Sequence, residues 1–485
     1  MPLSTETVQD VVDYYATLLE FAQRYLRIPG IQAAVYADDR VLWSGAFGHA
    51  DVERDEPLTD KHLFRIASHS KTFTATAVMQ LAEQGRLRLD DTAATHVPEL
   101  SGTTLGESTL RDLLNHAAGV TRDSRDGDFW QLAVPFPDRA ALLDVLRSAD
   151  SAVLPANDRF KYSNIGYGLL GLVVESAAGT SYADYVTSAI TGKLGLTDLG
   201  PELDPARLGD YAAGYSALSY AATRAPIEHV DTRALASATG FHSTARDLVT
   251  YFSAHLLGDE RLLTDASKRR MQHPVWTVKT DDTDQRYGLG LSVVKIGSHD
   301  YFGHGGGYPG HITRTLVDPE RRIVVAVLTN CIDGPAVQLA QAFIKLLDRA
   351  ESTPAVSQSA DTAGSADGAS VAPSAGSAAA GVDPRRFTGR FANLWGVMDV
   401  AILGGRLYDL DPTAADPAED AAELAVVDDH TLRIAARNGY GSHGEPMLFD
   451  FDPDGNVTSV RGGSGTTSRS LSTFELPERF TLQHG

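Results

Sequence analysis

One break in composition divides the chain and limits how it can fold. From residue 352 to residue 381 the sequence is mostly Ala, Ser, Gly and Pro with scattered Asp. Such a segment has too few apolar side chains to bury, so it predicts a flexible linker. We therefore predict a large domain over residues 1–351, a linker over residues 352–383 and a smaller domain over residues 384–485.

The large segment combines helical and strand patterns. Apolar periodicity predicts a first helix over residues 8–26, and two apolar runs separated by Asp38-Asp39 predict a hairpin after it. Further strands are predicted over residues 287–295, 301–303, 311–317 and 322–328, and a helix over residues 336–347. Because few strands alternate singly with helices, a doubly wound parallel sheet fits poorly. The expected fold class is α/β, of the type called α+β. In it an antiparallel sheet is flanked by helices, and the strands of the sheet come from both ends of the segment.

The small segment has a different pattern. Short apolar runs recur at near-regular intervals from residue 387 to a last run at residues 474–476, and Gly404-Gly405 and Pro453-Asp454-Gly455 supply turns between them. This pattern predicts an all-β module, either a sandwich or a barrel. Trp395 and Tyr408 are the only indication that such a module binds peptide or glycan, and core positions explain both residues more simply.

Charge and hydropathy restrict the partners. The 485-residue chain has a net charge of -21 and a pI near 5.1, so nucleic acid and anionic membrane surfaces would repel it. Residues 1–7 lack the basic and apolar regions of a secretory signal. No stretch approaches the roughly 18 consecutive apolar residues of a membrane span. We expect a cytoplasmic protein with neither nucleic-acid nor membrane partners, and the sequence leaves a homo-oligomer open.

Cysteine and metal-ligand patterns exclude two further features. Cys331 is the only cysteine, so no intramolecular disulfide can form, and its place at the end of an apolar run indicates a buried structural thiol. No group of His, Asp, Glu and Cys residues has the spacing of metal ligands. We expect neither a metal nor another cofactor.

The pair Ser68 and Lys71 is the first candidate for chemistry. The apolar periodicity from Phe73 to a helix-ending Gly85 places Ser68 at the start of a helix. A residue three positions on lies on the same helix face, so the Lys71 amine can reach the Ser68 hydroxyl and act as its base. An isolated Ser-x-x-Lys is more simply explained as a surface helix, so the hypothesis depends on partners elsewhere in the chain.

Two later segments are candidates for those partners. Tyr162-Ser163-Asn164 precedes an apolar helix predicted over residues 165–178, and His304-Gly305-Gly306 lies in a glycine-rich run. Each has an ordinary structural explanation: Tyr162 as a core aromatic, Asn164 as a helix N-cap, and the glycines as a turn. His69, His116 and His311 are interpreted as structural.

Together the three segments resemble a known family. Their order, with 94 residues from Ser68 to Tyr162 and 142 from Tyr162 to His304, is similar to that in serine β-lactamase and penicillin-binding-protein-like hydrolases. The resemblance covers residues 31–347. Within that range, the supporting stretches are residues 64–68, 110–119 and 240–248. The branch of the family that looks most similar contains class C β-lactamases, D-aminopeptidases, DD-peptidases and esterases. It implies a serine β-lactamase-like fold, and the small segment resembles the barrel (lipocalin-like) domains that follow D-aminopeptidases.

The resemblance also implies roles for residues. Ser68 would attack a carbonyl and form an acyl-enzyme, with Lys71 and Tyr162 sharing the proton transfers. Asn164, His304 and Gly306 would bind substrate, a small molecule or short peptide. The backbone amides of Ser68 and Gly307 would form the oxyanion hole.

The third motif departs from many relatives, which have Lys-Thr-Gly where this chain has His304-Gly305-Gly306. A neutral imidazole holds a carboxylate less well than an ammonium does, which disfavours β-lactamase and DD-peptidase activity. The favoured function is a D-aminopeptidase-like serine hydrolase acting on amide or ester bonds of small amino acyl groups, including D-configured ones. The alternatives are a carboxylesterase, a β-lactamase or DD-peptidase, and a non-catalytic binding protein on the same fold.

Overall fold

The computed structural model describes residues 5–279, 284–351, 382–403, 406–413, 422–436, 442–463 and 465–483. The helices of these residues are α1 (Thr5–Tyr25), α2 (Ser70–Glu83), α3 (Ala93–His96), α4 (Leu110–Leu114), α5 (Arg139–Arg147), α6 (Asn164–Ala178), α7 (Tyr182–Val186), α8 (Gly192–Leu194), α9 (Ala245–Ser253), α10 (Asp265–Gln272) and α11 (Ala336–Glu351). None of the helices described is long and apolar enough to cross a membrane.

Strands of the large segment form the central sheet and two small ribbons. They are β1 (Gly30–Ala37), β2 (Arg40–Asp51), β3 (Glu56–Pro57), β4 (Phe64–Arg65), β5 (Gly214–Tyr215), β6 (Pro226–Ile227), β7 (His242–Ser243), β8 (Trp276–Lys279), β9 (Asp284–Tyr287), β10 (Ser292–Ile296), β11 (His299–Tyr308), β12 (His311–Asp318) and β13 (Ile323–Thr329). The sheet has the order β3-β2-β1-β13-β12-β11-β10-β9-β8. Its neighbours are antiparallel, and β1 pairs directly with β13. The predicted antiparallel sheet with strands from both ends of the segment is confirmed.

Helices cover both faces of this sheet. On one face α1 packs against α11, where the Tyr15 and Phe343 ring centroids are 5.0 Å apart and the Tyr15 hydroxyl donates to Leu339 O at 2.8 Å. On the other face Phe73 of α2 stacks against Phe241 and against Tyr251 of α9, with centroids 4.4 and 3.7 Å apart. Residues 70–81 of α2 are all buried. The helix that follows Ser68 is therefore an internal helix, which excludes the surface-helix explanation.

Two strand predictions are wrong in extent. The run over residues 287–295 is divided between β9 and β10 by a turn in which Gly290 has a φ of +75°. The strand predicted over residues 301–303 is the longer β11, so His304-Gly305-Gly306 lies in a strand and not in a turn. Glycine has low strand propensity, and here the pairing of β11 with β12 overrides it.

The small segment folds into a barrel. Its strands are β14 (Gly389–Asn393), β15 (Gly396–Leu403), β16 (Arg406–Leu410), β17 (Ala422–Val426), β18 (Thr431–Ala436), β19 (Pro446–Phe451), β20 (Val457–Arg461) and β21 (Thr467–Ser470). They close in sequence order, with β21 pairing with both β20 and β14. The barrel alternative is therefore confirmed, whereas the expected strand at residues 474–476 is wrong. Phe474 instead packs against Tyr220 of the large segment, with ring centroids 5.1 Å apart.

The barrel and the large segment touch at the β14–β15 turn. Leu394 is buried in the core of the large segment, and Trp395 Nε1 donates to Trp130 O at 3.1 Å. Trp395 is therefore an interface residue, in line with the expected packing role. The predicted linker falls almost entirely on residues 352–381, which lie outside the described residues.

The Thr109 cap gives a test of the fold. Thr109 Oγ1 accepts from Asp112 N at 3.1 Å and Asp112 Oδ2 accepts from Thr109 N at 3.4 Å, which completes a capping box at α4. We expect Thr109→Ala to destabilise the protein by about 1 kcal/mol and lower its Tm by about 2 °C. Thr104→Ala, at an exposed position, is the control in differential scanning fluorimetry. Equal Tm values for the two variants would contradict the assignment.

Candidate active site

Ser68 lies in a strained turn. The 3₁₀ turn Ala67–His69 connects β4 to α2, so Ser68 precedes the α-helix instead of opening it. Ala67 has a φ of +47°, which is unusual for a residue with a side chain and costs about 1 kcal/mol or more. Ser70 Oγ donates to Ala67 O at 2.5 Å, and His69 Nε2 is 3.0 Å from Thr315 Oγ1 on β12. These contacts hold the half-buried Ser68 against the central sheet.

Lys71 is fully buried beside Ser68. Its Nζ is 3.3 Å from Ser68 Oγ, 2.6 Å from Asn164 Oδ1 and 2.9 Å from Ala238 O. Desolvation, reinforced by the Arg122 charge, lowers the pKa of Lys71 well below its ordinary value, while Asp123 acts in the opposite direction. The structure thus brings the predicted pair together and favours a neutral amine.

Asn164 is held in one orientation by two neighbours. The N-cap of α6 is Ser163, whose Oγ accepts from Gly166 N at 2.8 Å, so the N-cap explanation of Asn164 is wrong. Asn164 Nδ2 donates to Asp123 Oδ1 at 2.6 Å. Because Asp123 Oδ1 takes the Nδ2 donor of Asn164, the other end of the amide, Oδ1, faces Lys71.

Tyr162 is packed directly against the Lys71 amine. Lys71 Nζ lies 4.7 Å from the centroid of the Tyr162 ring, and the Arg122 guanidinium carbon lies 5.4 Å from it. The His116 ring is 4.3 Å from the Tyr162 ring, and His116 Nδ1 accepts from Ser163 N at 3.2 Å. The predicted Ser68, Lys71 and Tyr162 grouping is therefore present in space, with His116 supporting the tyrosine.

His304 is adjacent to this group but has both ring nitrogens engaged. Its Nδ1 is 2.6 Å from the carbonyl of Gly305 and its Nε2 is 3.1 Å from the Tyr287 hydroxyl. Desolvation lowers the pKa of His304 well below its ordinary value, and the neighbouring His69 and Lys71 act in the same direction. His304 is therefore neutral, with Nδ1–H donating and Nε2 accepting.

Gly306 brings β11 close to the Ser68 turn. A methyl group at this position would overlap Ile66 O and lie 2.6 Å from Thr313 Oγ1. Beyond Gly303, β10 no longer pairs with β11, so that edge of residues 304–308 has no strand neighbour in the part of the chain that is described. Gly307 is on this edge, in register with Ile312 and next to Trp395 of the barrel. A backbone N–H group can stabilise an oxyanion only if no neighbouring strand takes its hydrogen bond, and an edge without a strand neighbour meets that condition.

Sequence reasoning missed Arg122 and Asp123. Asp123 is buried, contacts Asn164 as described, and accepts from Arg122 Nε at 3.1 Å. Both residues belong to a polar loop without periodicity, and the only available signal was their position just after the stretch 110–119 that resembles the family. Groups of three or more His, Cys, Asp or Glu side chains that could hold a metal do not occur among the described residues.

The chain is similar to known proteins in both sequence and fold. The model of the beta-lactamase family matches residues 18–349. Penicillin-binding protein 4* of Bacillus subtilis (strain 168) is 29% identical over 306 residues, which are 60% of this chain and 65% of the relative. The chain thus covers less than two thirds of that relative's length.

Solved structures resemble the fold. The octameric penicillin-binding protein homologue from Pyrococcus abyssi has a TM-score of 0.63 at 21% identity, over 93% of this chain and 98% of its own. The D-amino acid amidase from Ochrobactrum anthropi SV3 has a TM-score of 0.58 at 23% identity, over 70% of this chain and 100% of its own. At these identities the similarity shows a serine β-lactamase-like fold.

The match over more than half of the sequence shows that the chain belongs to the beta-lactamase family. Members of the superfamily, such as β-lactamases and amidases, are serine hydrolases. The resemblance inferred from the three motifs is confirmed at this level.

The contact at Gly306 gives a test of the site geometry. We expect Gly306→Ala to destabilise the protein by about 1–3 kcal/mol, because the added methyl group must displace Ile66 O or the β11 backbone. Gly305→Ala is the matched control, since its methyl group would meet Arg314 Nη1 at an ordinary 3.5 Å. Thermal unfolding of both variants measures the difference. Similar Tm values would show that the close approach of β11 to the turn does not exist.

Proposed function

We propose that the chain is a serine hydrolase that forms an acyl-enzyme on Ser68 and acts on amide or ester bonds of small amino acyl substrates, including D-configured ones. The observation that carries this proposal is the position of the buried Lys71 amine, 3.3 Å from Ser68 Oγ. The proposed catalytic domain is residues 1–351, joined by the linker 352–383 to a barrel domain over residues 384–485.

The hydrogen bonds of Lys71 explain why it would act as a base. A neutral amine has two N–H donors and one lone pair. Asn164 Oδ1 and Ala238 O accept the two donors, at 2.6 and 2.9 Å. The lone pair is then left for the Ser68 hydroxyl, which is the arrangement that general-base activation requires.

The reaction follows from this arrangement. The Ser68 hydroxyl proton passes to Lys71 as Oγ attacks the carbonyl carbon, and the backbone amides of Ser68 and Gly307 stabilise the oxyanion. Tyr162, packed against Lys71, relays the proton to the leaving group. Water then attacks the acyl-enzyme, the same groups carry its proton back to Ser68 Oγ, and the acyl group leaves as the acid, which frees Ser68.

The surroundings of His304 support the substrate class. A neutral imidazole whose nitrogens bind Gly305 O and Tyr287 has neither a charge nor a free donor to hold a carboxylate. Substrates without a carboxylate beside the reacting bond are therefore favoured over penicillins and peptide C-termini. The D-amino acid amidase among the structural neighbours makes D-amino acyl amides the first substrates to test.

Labelling with a fluorophosphonate tests the nucleophile. We expect intact-protein mass spectrometry to show one adduct on the wild type and none on Ser68→Ala, because the buried Lys71 amine lies 3.3 Å from Ser68 Oγ. The exposed Ser101→Ala variant is the matched control and should label at the wild-type rate. A wild type that neither labels nor turns over any substrate would leave a binding protein on this fold.

Paired substrates separate the remaining alternatives. We expect the p-nitroanilide of D-alanine to be cleaved faster than that of L-alanine, and both activities to be lost in Ser68→Ala. Turnover of p-nitrophenyl esters alone would assign the protein to the carboxylesterases. Rapid nitrocefin hydrolysis would assign it to the β-lactamases.

The pH dependence tests the base. Lys71 must be neutral to accept the serine proton, and burial lowers its pKa well below 10.5. The labelling rate should therefore fall as pH drops through this lowered pKa and reach its plateau well below pH 10.5. Lys71→Arg, which keeps the charge but cannot deprotonate, should abolish labelling at every pH, whereas the exposed Lys193→Arg should not. A rate that rises only near pH 10.5 would exclude a neutral Lys71.

A further inference from the structure

Glu445 connects the barrel to the candidate active site. It immediately precedes β19, and its backbone is held within the barrel: Glu445 N donates to Ser442 O at 3.0 Å and Ile434 N donates to Glu445 O at 3.1 Å. Its side chain is only 3% exposed and points out of the barrel into the large segment. A carboxylate in such a place must be paired to be tolerated.

Glu445 Oε1 has two partners, both from the large segment. It accepts from Arg122 N at 3.1 Å, and it forms a short ion pair with the ammonium of Lys161, whose side chain is fully buried. Desolvation raises the pKa of Glu445, and the Lys161 charge opposes that shift. Removing one member of a buried pair leaves the other uncompensated, so this contact strongly constrains both segments.

Each partner is next to a residue of the site. Arg122 precedes Asp123, which binds Asn164 Nδ2, and the Arg122 carbonyl accepts from Asn164 N at 2.9 Å. Lys161 precedes Tyr162, and Lys161 N donates to His116 O at 2.8 Å. One oxygen of Glu445 thus joins the segment that orients Asn164 to the segment that carries Tyr162.

The connection reaches Lys71 in a few contacts. Asp123 turns Asn164 Oδ1 toward Lys71 Nζ at 2.6 Å, and the Tyr162 ring packs on the same amine. The charged and titratable groups that face Lys71 include Arg122, Asp123, His116 and His304, together with the rings of Tyr162 and Tyr167 at 4.7 and 5.6 Å from Nζ. A displacement of residues 122–123 therefore moves both of the charges that act on the Lys71 pKa, those of Arg122 and Asp123.

We propose that Glu445 is a positioning residue supplied by the barrel, which aligns the Arg122-Asp123 and Lys161-Tyr162 segments around Lys71 so that the site is complete only with the barrel in place. This proposal rests on the proposed acyl-enzyme chemistry of Ser68. It assigns the barrel a part in the reaction that requires no contact with substrate.

Other contacts hold the barrel without reaching the site. Asp128 Oδ1 accepts from Thr467 N at 2.6 Å and Asp128 Oδ2 accepts from Thr467 Oγ1 at 2.8 Å. Asp128 also pairs with Arg461 of the barrel at 3.2 Å. Asp128 is therefore a matched control, because it is a second carboxylate that crosses the same interface.

The test compares Glu445→Gln with Asp128→Asn in the full chain. For Glu445→Gln we expect the fluorophosphonate rate constant, and kcat per labelled site with the best p-nitroanilide or ester, to fall about 10- to 100-fold. KM should change less than about threefold, because substrate contacts are untouched. Labelling should still reach one adduct per chain. Asp128→Asn should keep wild-type rates.

Each outcome decides one proposal. Wild-type rates in Glu445→Gln, or an equal loss in Asp128→Asn, would overturn the positioning role while Ser68 labelling stands. Absence of labelling in the wild type would overturn the proposed function itself. If Glu445→Gln does not fold, Glu445→Gln/Lys161→Met, which removes both charges of this ion pair, takes its place with the same expected loss.

Discussion

The burial of the Lys71 amine is the constraint on which the rest of the site depends. An amine without water must find polar partners inside the protein, and Asn164 Oδ1, Ala238 O and Ser68 Oγ are those partners. They come from three separate parts of the chain. Helix α2 must therefore be internal, α6 must begin beside it, and the turn before α2 must be held by the sheet. The stacking of Phe73 against Phe241 and Tyr251 supplies the packing that keeps α2 in place.

A shell of buried and half-buried charges surrounds this amine and extends into the barrel. Asp123 and Arg122 pair with each other beside Lys71, and Glu445 pairs with Lys161 one step further out. Alternating charges of this kind are tolerated because each is matched, and they favour one arrangement of segments over others. The Trp395 ring packs edge-on against the Trp130 ring, with centroids 6.1 Å apart, and adds an apolar contact next to Gly307. At this face the barrel is thus part of the same packed unit as the site.

Local patterns predicted the elements that local forces determine. The Asp38-Asp39 turn has both residues at positive φ, as a two-residue hairpin requires, and the capping box of α4 is formed by Thr109 and Asp112, which are three residues apart. The predictions fail where the conformation of a segment depends on a partner that is distant in sequence. Residues 474–476 are apolar enough for a strand, but β21 already closes the barrel, and Phe474 packs on Tyr220 instead. Asn164 could serve as an N-cap by type, but Ser163 takes that role and leaves the Asn164 amide free to join Lys71 to Asp123.

The sequence by itself determined the family, the antiparallel sheet, the all-β class of the small segment and the grouping of Ser68, Lys71 and Tyr162, because motif order and periodicity record which residues must meet. Only the tertiary structure decided that His304 is neutral with both nitrogens engaged, that Asp123 orients Asn164, and that Glu445 of the barrel pairs with Lys161. Each of these three features depends on how deeply a side chain is buried and on where it points. The spacing of residues along the sequence contains neither kind of information. Desolvation exists only once the chain has folded, so the protonation of the site is a property of the packed molecule.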